Sequence, residues 1–266
     1  MRAVLVVGVV VGLVAASAAA GGSAHGVRAP RIKGATNSTS TNWAGYAVTG
    51  ATFTDVKGSW VEPSVSCTTA PATTKQNGKS ATNGKNRPSK SQPSYAAFWI
   101  GLDGDVSNTV EQTGTDSDCN GSTAVYYAWY EFYPAFPVNL PNPVRPRDAM
   151  SAEVSVAGGA VTVTIKDLTK PGWTFTTSQK DKNYALSSAE WIAEAPSGPQ
   201  VLPLADFGAV TFTGASATGN GVTGPINQPG FTVDPITMAT SSGQTKAAPS
   251  PLTKNGDGFT VTWSHS

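Results

Sequence analysis

Histidine is almost absent from this 266-residue chain: only His25 and His265 occur. One lies in the N-terminal segment and the other beside the C-terminus, where side chains are seldom held in a packed site. A Ser-His-Asp or Cys-His arrangement needs an imidazole fixed against its nucleophile before its pKa matters. The sequence therefore argues against both, and against zinc held by His and Cys. Calcium fares no better, because Asp103-Gly-Asp105 lacks the regular D-x-[DN]-x-[DN]-G spacing and the closing Glu. That cluster reads as a turn whose Asp side chains bond the local backbone. No metal and no cofactor are expected.

Long apolar runs are also missing, with one exception. Arg2 is followed by an apolar stretch from Ala3 to Ala16 and by small residues from Ser17 to Ala20. This is the layout of a signal peptide over residues 1–20, too short for the ~20 residues of a spanning helix. A secreted, extracellular chain with no membrane contact after cleavage is expected. Cysteine is limited to Cys67 and Cys119, and in an exported chain such a pair is by default a disulfide, provided the two Cα atoms approach closely.

Charge is sparse, at 13% of residues, and unevenly placed. Arg28, Arg31 and Lys33 lie in an N-terminal segment without acids, and Lys75, Lys79, Lys85, Arg87 and Lys90 lie in a second such stretch. Setting these and Arg2 aside leaves half of the 18 basic residues against all 17 acids, so the folded body is acidic. Without interleaved aromatics the second stretch reads as a solvated loop insertion at about residues 68–94, and no nucleic-acid partner is expected. Residues 21–40, small, polar and basic, read as a short disordered leader.

What the chain has in quantity is Gly, Pro, Ser and Thr between short alternating apolar segments. Strand-like stretches recur from Trp43 to Trp263 with turn signals between nearly all of them, and no helical period appears. This spacing predicts an all-β domain over residues 41–266, a two-sheet antiparallel β-sandwich. The most aromatic segment, Ala124 to Tyr133, alternates so that Tyr127, Trp129, Glu131 and Tyr133 share one face while Tyr126, Ala128, Tyr130 and Phe132 share the other. By the same parity Gln112 joins Val110, and Glu190 joins Ile192 and Glu194; both sets can line one concave sheet if the strands are neighbours.

With imidazole, thiolate and metal set aside, carboxylates and side-chain amides remain. Glu111, Glu131 and Glu190 are candidates for the paired acids of a glycosidase, or one acid works with a neutral electrophile such as an amide. Ser40-Thr-Asn-Trp-Ala-Gly45, Phe98-Trp-Ile-Gly-Leu-Asp-Gly-Asp105, Glu111-Gln-Thr-Gly114, Tyr127-Ala-Trp-Tyr-Glu-Phe-Tyr-Pro134 and Ser188-Ala-Glu-Trp-Ile192 occur in that order. Together they resemble the glutamic peptidases, or eqolisins, from about Asn42 to the C-terminus, with the likeness weakening after Thr213.

The resemblance implies a lectin-like (concanavalin A-like) β-sandwich and a metal-independent endopeptidase acting on polypeptides, usually in acid. Its catalytic glutamine, in the Q-T-G motif, falls on Gln112, and its catalytic glutamate, in A-E-[WF]-I, falls on Glu190. Its supporting positions fall on Trp43, Trp99, Asp103, Asp116, Trp129, Glu131 and Tyr133. The division of labour is chemically sound: a carboxylate takes and returns a proton, and an amide N–H bonds a developing oxyanion. An unperturbed Glu, near pKa ~4.3, ionises in mild acid. The chain departs from the fungal enzymes of this family in its short leader and basic loop. A monomer is expected. The competing reading is a non-catalytic sandwich that binds carbohydrate or cell-wall polymer through Trp99, Trp129 and Tyr133.

Overall fold

A computed structural model describes residues 28–33, 38–67, 92–180 and 184–266. The expected signal peptide and almost all of the basic loop lie outside the described residues. Among the described residues every regular element is a strand. In chain order these are β1 (Thr39–Ser40), β2 (Trp43–Thr49), β3 (Phe53–Val61), β4 (Ala97–Leu102), β5 (Val110–Asn120), β6 (Thr123–Tyr133), β7 (Val138–Asn139) and β8 (Ala149–Ala157). There follow β9 (Ala160–Asp167), β10 (Trp173–Lys180), β11 (Ala189–Glu194), β12 (Ala209–Gly219), β13 (Val222–Pro225), β14 (Thr232–Ala239), β15 (Thr245–Pro249) and β16 (Phe259–Trp263).

The strands form two antiparallel sheets, as the alternating pattern predicts. The first runs β10-β9-β8-β3-β12-β16-β15, and the second runs β2-β11-β4-β5-β6-β7. Strand β14 joins them: Thr232–Ile236 pair with β2, whereas Met238 and Ala239 pair with β15. Pro235 is tolerated within β14 because β15 pairs with the strand only beyond it, and a residue without an N–H needs such a free side. β1 adds a short parallel pairing to β14.

Between the sheets lies the main core, built from alternate residues of both. Trp60 and Phe212 of the first sheet meet Trp191, Phe98 and Ile100 of the second within one cluster. Trp191 fits because Gly58 of β3 lies beneath its indole; a Cβ there would come 3.2 Å from the ring. The opposite face of the second sheet carries its own cluster of Trp43, Ala47, Trp99, Val110, Tyr127, Trp129 and Ile192, with Tyr133 packed against it. The parity read for β6 is the parity observed, since Ala128, Phe132, Tyr126 and Tyr130 all belong to the inter-sheet core. The sheets therefore make a conventional apolar interior, and a second buried surface is left for chemistry.

Cys67 and Cys119 form a disulfide with Cα atoms 5.4 Å apart, closing a 52-residue loop that contains the basic stretch. Three strands after Thr213 fall where the sequence shows no clear alternation: β13, β14 and β15 are short or rich in Thr, Pro and Ala. The leader also differs from expectation. Residues 28–33 and 38–40 belong to the fold, with Arg28 and Ser40 fully buried.

Candidate active site

Register across the second sheet brings the two motif residues onto one line. Glu190 of β11 is opposite Gly101 of β4, Gly101 is opposite Gln112 of β5, and Gln112 is opposite Glu131 of β6. Strands are spaced about 4.8 Å apart, so the Cα atoms of Glu190 and Gln112 are two steps, roughly 10 Å, from one another. The intervening residue has no side chain, and a Cβ on Gly101 would meet Trp99 Cζ3 at 2.9 Å and Gln112 Cβ at 3.1 Å. The edge of the Trp99 ring and the Gln112 side chain lie over Gly101, and Gly101 itself puts no side chain between carboxyl and amide.

The next line carries Ile192, Trp99, Gly114 and Trp129, and the one after it Glu194, Ala97, Asp116 and Tyr127. Gly114, the last residue of the Q-T-G motif, lies between two tryptophans, and a Cβ there would stand 2.2 Å from the Phe98 carbonyl oxygen. Trp43 of β2 packs edge-on against Trp99 with ring centroids 4.9 Å apart. The Trp99 indole N–H donates to Glu194 Oε2 at 2.8 Å. Trp43, Trp99 and Trp129 are fully buried, Trp129 with the Arg28 guanidinium over its ring at 4.5 Å from the centroid.

Glu190 is fully buried, and neither of its oxygens has a hydrogen-bond partner among the described residues. Burial raises its pKa well above the ordinary carboxylate value. Ser188, nearby but outside hydrogen-bonding geometry, opposes that rise, and the charges of Asp103, Asp105 and Glu111 add to it. The expectation that Glu190 keeps an ordinary pKa is therefore corrected by its depth. Glu131 is pushed up to about 8, mainly by burial, with Arg28 opposing and Asp116 adding. Its Oε2 accepts the Gln112 side-chain N–H at 3.2 Å, which fixes which way that amide points.

The remaining sequence candidates divide between site and scaffold. Asp116 lies on the site face, buried, and pairs with Arg28 at 2.5 Å. Tyr133 lies one line beyond Gln112, opposite Val110. Asp103 stands just after β4 at a φ of 70°. Its carboxylate accepts the N–H groups of Ala185, Leu186 and Ser187 at 2.7–2.8 Å, along with the Ser187 hydroxyl. It anchors the loop that delivers β11, so its bonds go to a turn rather than to Gln112 or Glu190. Glu111 is out of phase with Gln112 and opposite Leu102, a residue of the inter-sheet core.

Two further groups on this face were not among the candidate site residues. Glu194 is fully buried on the site face beside Trp99 and Asn42; its parity with Glu190 was the available signal. Arg28 is the other. Its carbonyl accepts the Gln112 Nε2–H at 2.7 Å and its N–H donates to Glu131 Oε2 at 3.1 Å. A cation in an acid-free leader ahead of an acidic body was the clue to it.

Comparison with known proteins identifies the family and the fold. The Peptidase A4 family matches residues 41–263. Aspergillopepsin-2 of Aspergillus niger is 32% identical over 201 residues, covering 73% of this chain and 70% of that protein. The crystal structure of Scytalido-glutamic peptidase with a peptide-based transition-state analog is similar with a TM-score of 0.64 at 22% identity, covering 84% of this chain and 98% of that one. Aspergilloglutamic peptidase from Aspergillus niger is similar with a TM-score of 0.56 at 30% identity, covering 64% and 99%. A family match over most of the chain, on a β-sandwich that carries the motif glutamine and glutamate in one line, shows that the chain belongs to the peptidase A4 family, the glutamic peptidases.

Proposed function

We propose that this peptidase is a secreted, monomeric, metal-independent endopeptidase working in acid, with Glu190 as the proton-transferring group and Gln112 as the oxyanion donor. One observation carries the reading. A buried carboxyl with no hydrogen-bond partner faces, across a side-chain-free Gly101, an amide that already donates to a peptide carbonyl. In the ionised form Glu190 takes a proton from water as the oxygen attacks the scissile carbonyl. The Gln112 N–H bonds the oxygen that becomes negative, and the protonated Glu190 then delivers its proton to the departing amine. Burial favours neutral Glu190 in the closed cleft, so admitting water and substrate is what restores its carboxylate.

An acid working range is supported by the number of buried carboxyl groups whose pKa burial raises, which a fold tolerates best when they are protonated. The disulfide suits an oxidising compartment. Denatured casein digested between about pH 2 and pH 7, a range bracketing the ordinary Glu pKa, provides the test. Cleavage is expected to persist in a chelator, to vanish in Glu190→Gln, and to fall ~100–1000-fold in Gln112→Ala, the usual loss of one oxyanion donor. Undiminished cleavage by Glu190→Gln would remove the mechanism.

A further inference from the structure

The geometry points to a subsite for an arginine side chain, made by Asp116, Tyr127 and Trp129, which selects substrates by the residue whose carbonyl Gln112 holds. This rests on the assignment of Gln112 as the oxyanion donor. At present the chain's own Arg28 fills that subsite, and it does so as a substrate residue would. Its backbone is held at both ends by the catalytic line, the carbonyl by Gln112 at 2.7 Å and the N–H by Glu131 at 3.1 Å.

The side chain reaches in the direction of Asp116. Along β5 the site face carries Gln112, Gly114 and Asp116 in succession, each about 7 Å from the last. Gly114 puts no side chain in the way. At the far end the guanidinium Nη2 meets Asp116 Oδ2 at 2.5 Å and the Tyr127 hydroxyl at 3.2 Å, and its Cζ stands 4.5 Å from the Trp129 ring centroid. The Tyr127 hydroxyl is itself 2.8 Å from the Asp116 and Asp118 carboxylates, which holds the anion in place before any cation arrives. An acid, a phenol and an indole face, all buried, match a planar cation and suit an aliphatic side chain poorly.

Selectivity follows from what an uncharged residue would leave behind. Asp116 is fully buried, and a buried carboxylate deprived of its cation is strongly disfavoured. A site built around a polar contact rejects the analogue lacking it far more sharply than an apolar pocket rejects a shorter chain. Arg28 precedes the residues matched by the family, so its seating is a feature of this chain's leader. Arg31 fastens the same segment through Asp105 at 2.7 Å and Asp234 at 2.5 Å, and the Trp43 indole donates to the Ala29 carbonyl at 3.1 Å.

The test empties the side-chain subsite in the full chain with Arg28→Ala, whose backbone keeps its places on Gln112 and Glu131, and adds the side-chain mimic n-propylguanidinium or the uncharged n-propylurea. The guanidinium is expected to raise the Tm of Arg28→Ala by about 3 °C or more at ten times its Kd, with no shift from the urea and none in Arg28→Ala/Asp116→Asn. Equal shifts from both compounds, or none from the guanidinium, would overturn the subsite. Peptides differing only at that residue provide a second reading, with kcat/KM ~100-fold higher for arginine than for norleucine. Should Arg28→Ala not fold, mapping the casein cuts of the unmodified chain decides: enrichment after arginine supports the subsite and scattered cuts refute it. Scattered but Glu190-dependent cuts leave the peptidase mechanism standing, whereas arginine-selective binding without Glu190-dependent cleavage leaves the subsite and removes the mechanism.

Discussion

Gln112 and Glu131 are directly opposite on β5 and β6, and the amide N–H of one bonds the carboxyl Oε2 of the other at 3.2 Å. In the proposed mechanism Glu131 acts as a positioning residue, because its oxygen sets which end of the amide faces the peptide carbonyl. With its pKa pushed up to about 8, it is neutral in acid and accepts through its carbonyl oxygen.

Glu131→Ala frees the amide to rotate, and a misplaced oxyanion donor is expected to lower kcat by ~100-fold with little change in KM. Glu131→Gln keeps the acceptor and copies the neutral acid, so at pH 4 it should stay within about threefold of the parent, a change under ~1 kcal/mol. Steady-state kinetics on a quenched peptide at pH 4 distinguish the two. An equal loss in both variants would show that the charge, and not the orientation, matters.

Stability should fall as pH rises. Burial lifts Glu62 to about 7 despite bonds from Thr115, Ser117 and Trp60. Glu131 is at about 8, and Glu190 and Glu194 are shifted in the same direction. The unfolded chain gives up these protons near pH ~4.3, while folded Glu62 and Glu131 hold theirs into the neutral range. Stability is therefore complete below about 4.5 and is lost through pH 7–8, by ~3 kcal/mol for Glu62 alone. Calorimetry from pH 4 to pH 8 should show a steady decline in Tm, flattened in Glu62→Gln. A Tm that climbs over this interval contradicts the assignment.

Gly101→Ala places a methyl between carboxyl and amide. Its Cβ meets Trp99 at 2.9 Å and both Gln112 Cβ and the Glu111 carbonyl at 3.1 Å, so Trp99 or Gln112 must move. Overpacking of this kind costs ~1–3 kcal/mol, and kcat/KM should drop by ~100-fold from displacement of the donor. Urea unfolding and peptide hydrolysis measure the two effects. Unchanged hydrolysis would show that the gap over Gly101 is not where the reacting group sits.

Removing the disulfide with Cys67→Ser/Cys119→Ser should cost up to roughly 4 kcal/mol on the chain-entropy view of a 52-residue loop. Because Cys119 lies at the far end of β5 from Gln112, activity per folded molecule should be preserved. Denaturant midpoints and single-turnover rates separate stability from catalysis, and a parallel loss of both would tie the loop to the site.

Much of this was readable along the chain. The period-2 alternation of β6 put Trp129 and Glu131 on one face and Phe132 on the other because successive strand side chains point to opposite sides. Gln112 and Glu190 stood out by motif, in a chain with no usable imidazole. Strands β13 to β15 did not stand out, because Pro235 and the Thr-rich and Ala-rich flanks blur alternation, and β14 takes its longest pairing from the distant β2.

The sequence alone determined the composition of the chemistry: carboxyl and amide without histidine, in strands whose parity is local. Tertiary structure decided who stands beside whom. Glu190 and Gln112 share one line only because β4 pairs with both β11 and β5 and puts Gly101 between them, and cross-strand register is a property of pairing between remote segments. Arg28 belonged by composition to a disordered leader; its place against Asp116 came from a buried cation needing an acid, and the fold alone had gathered acids on that face.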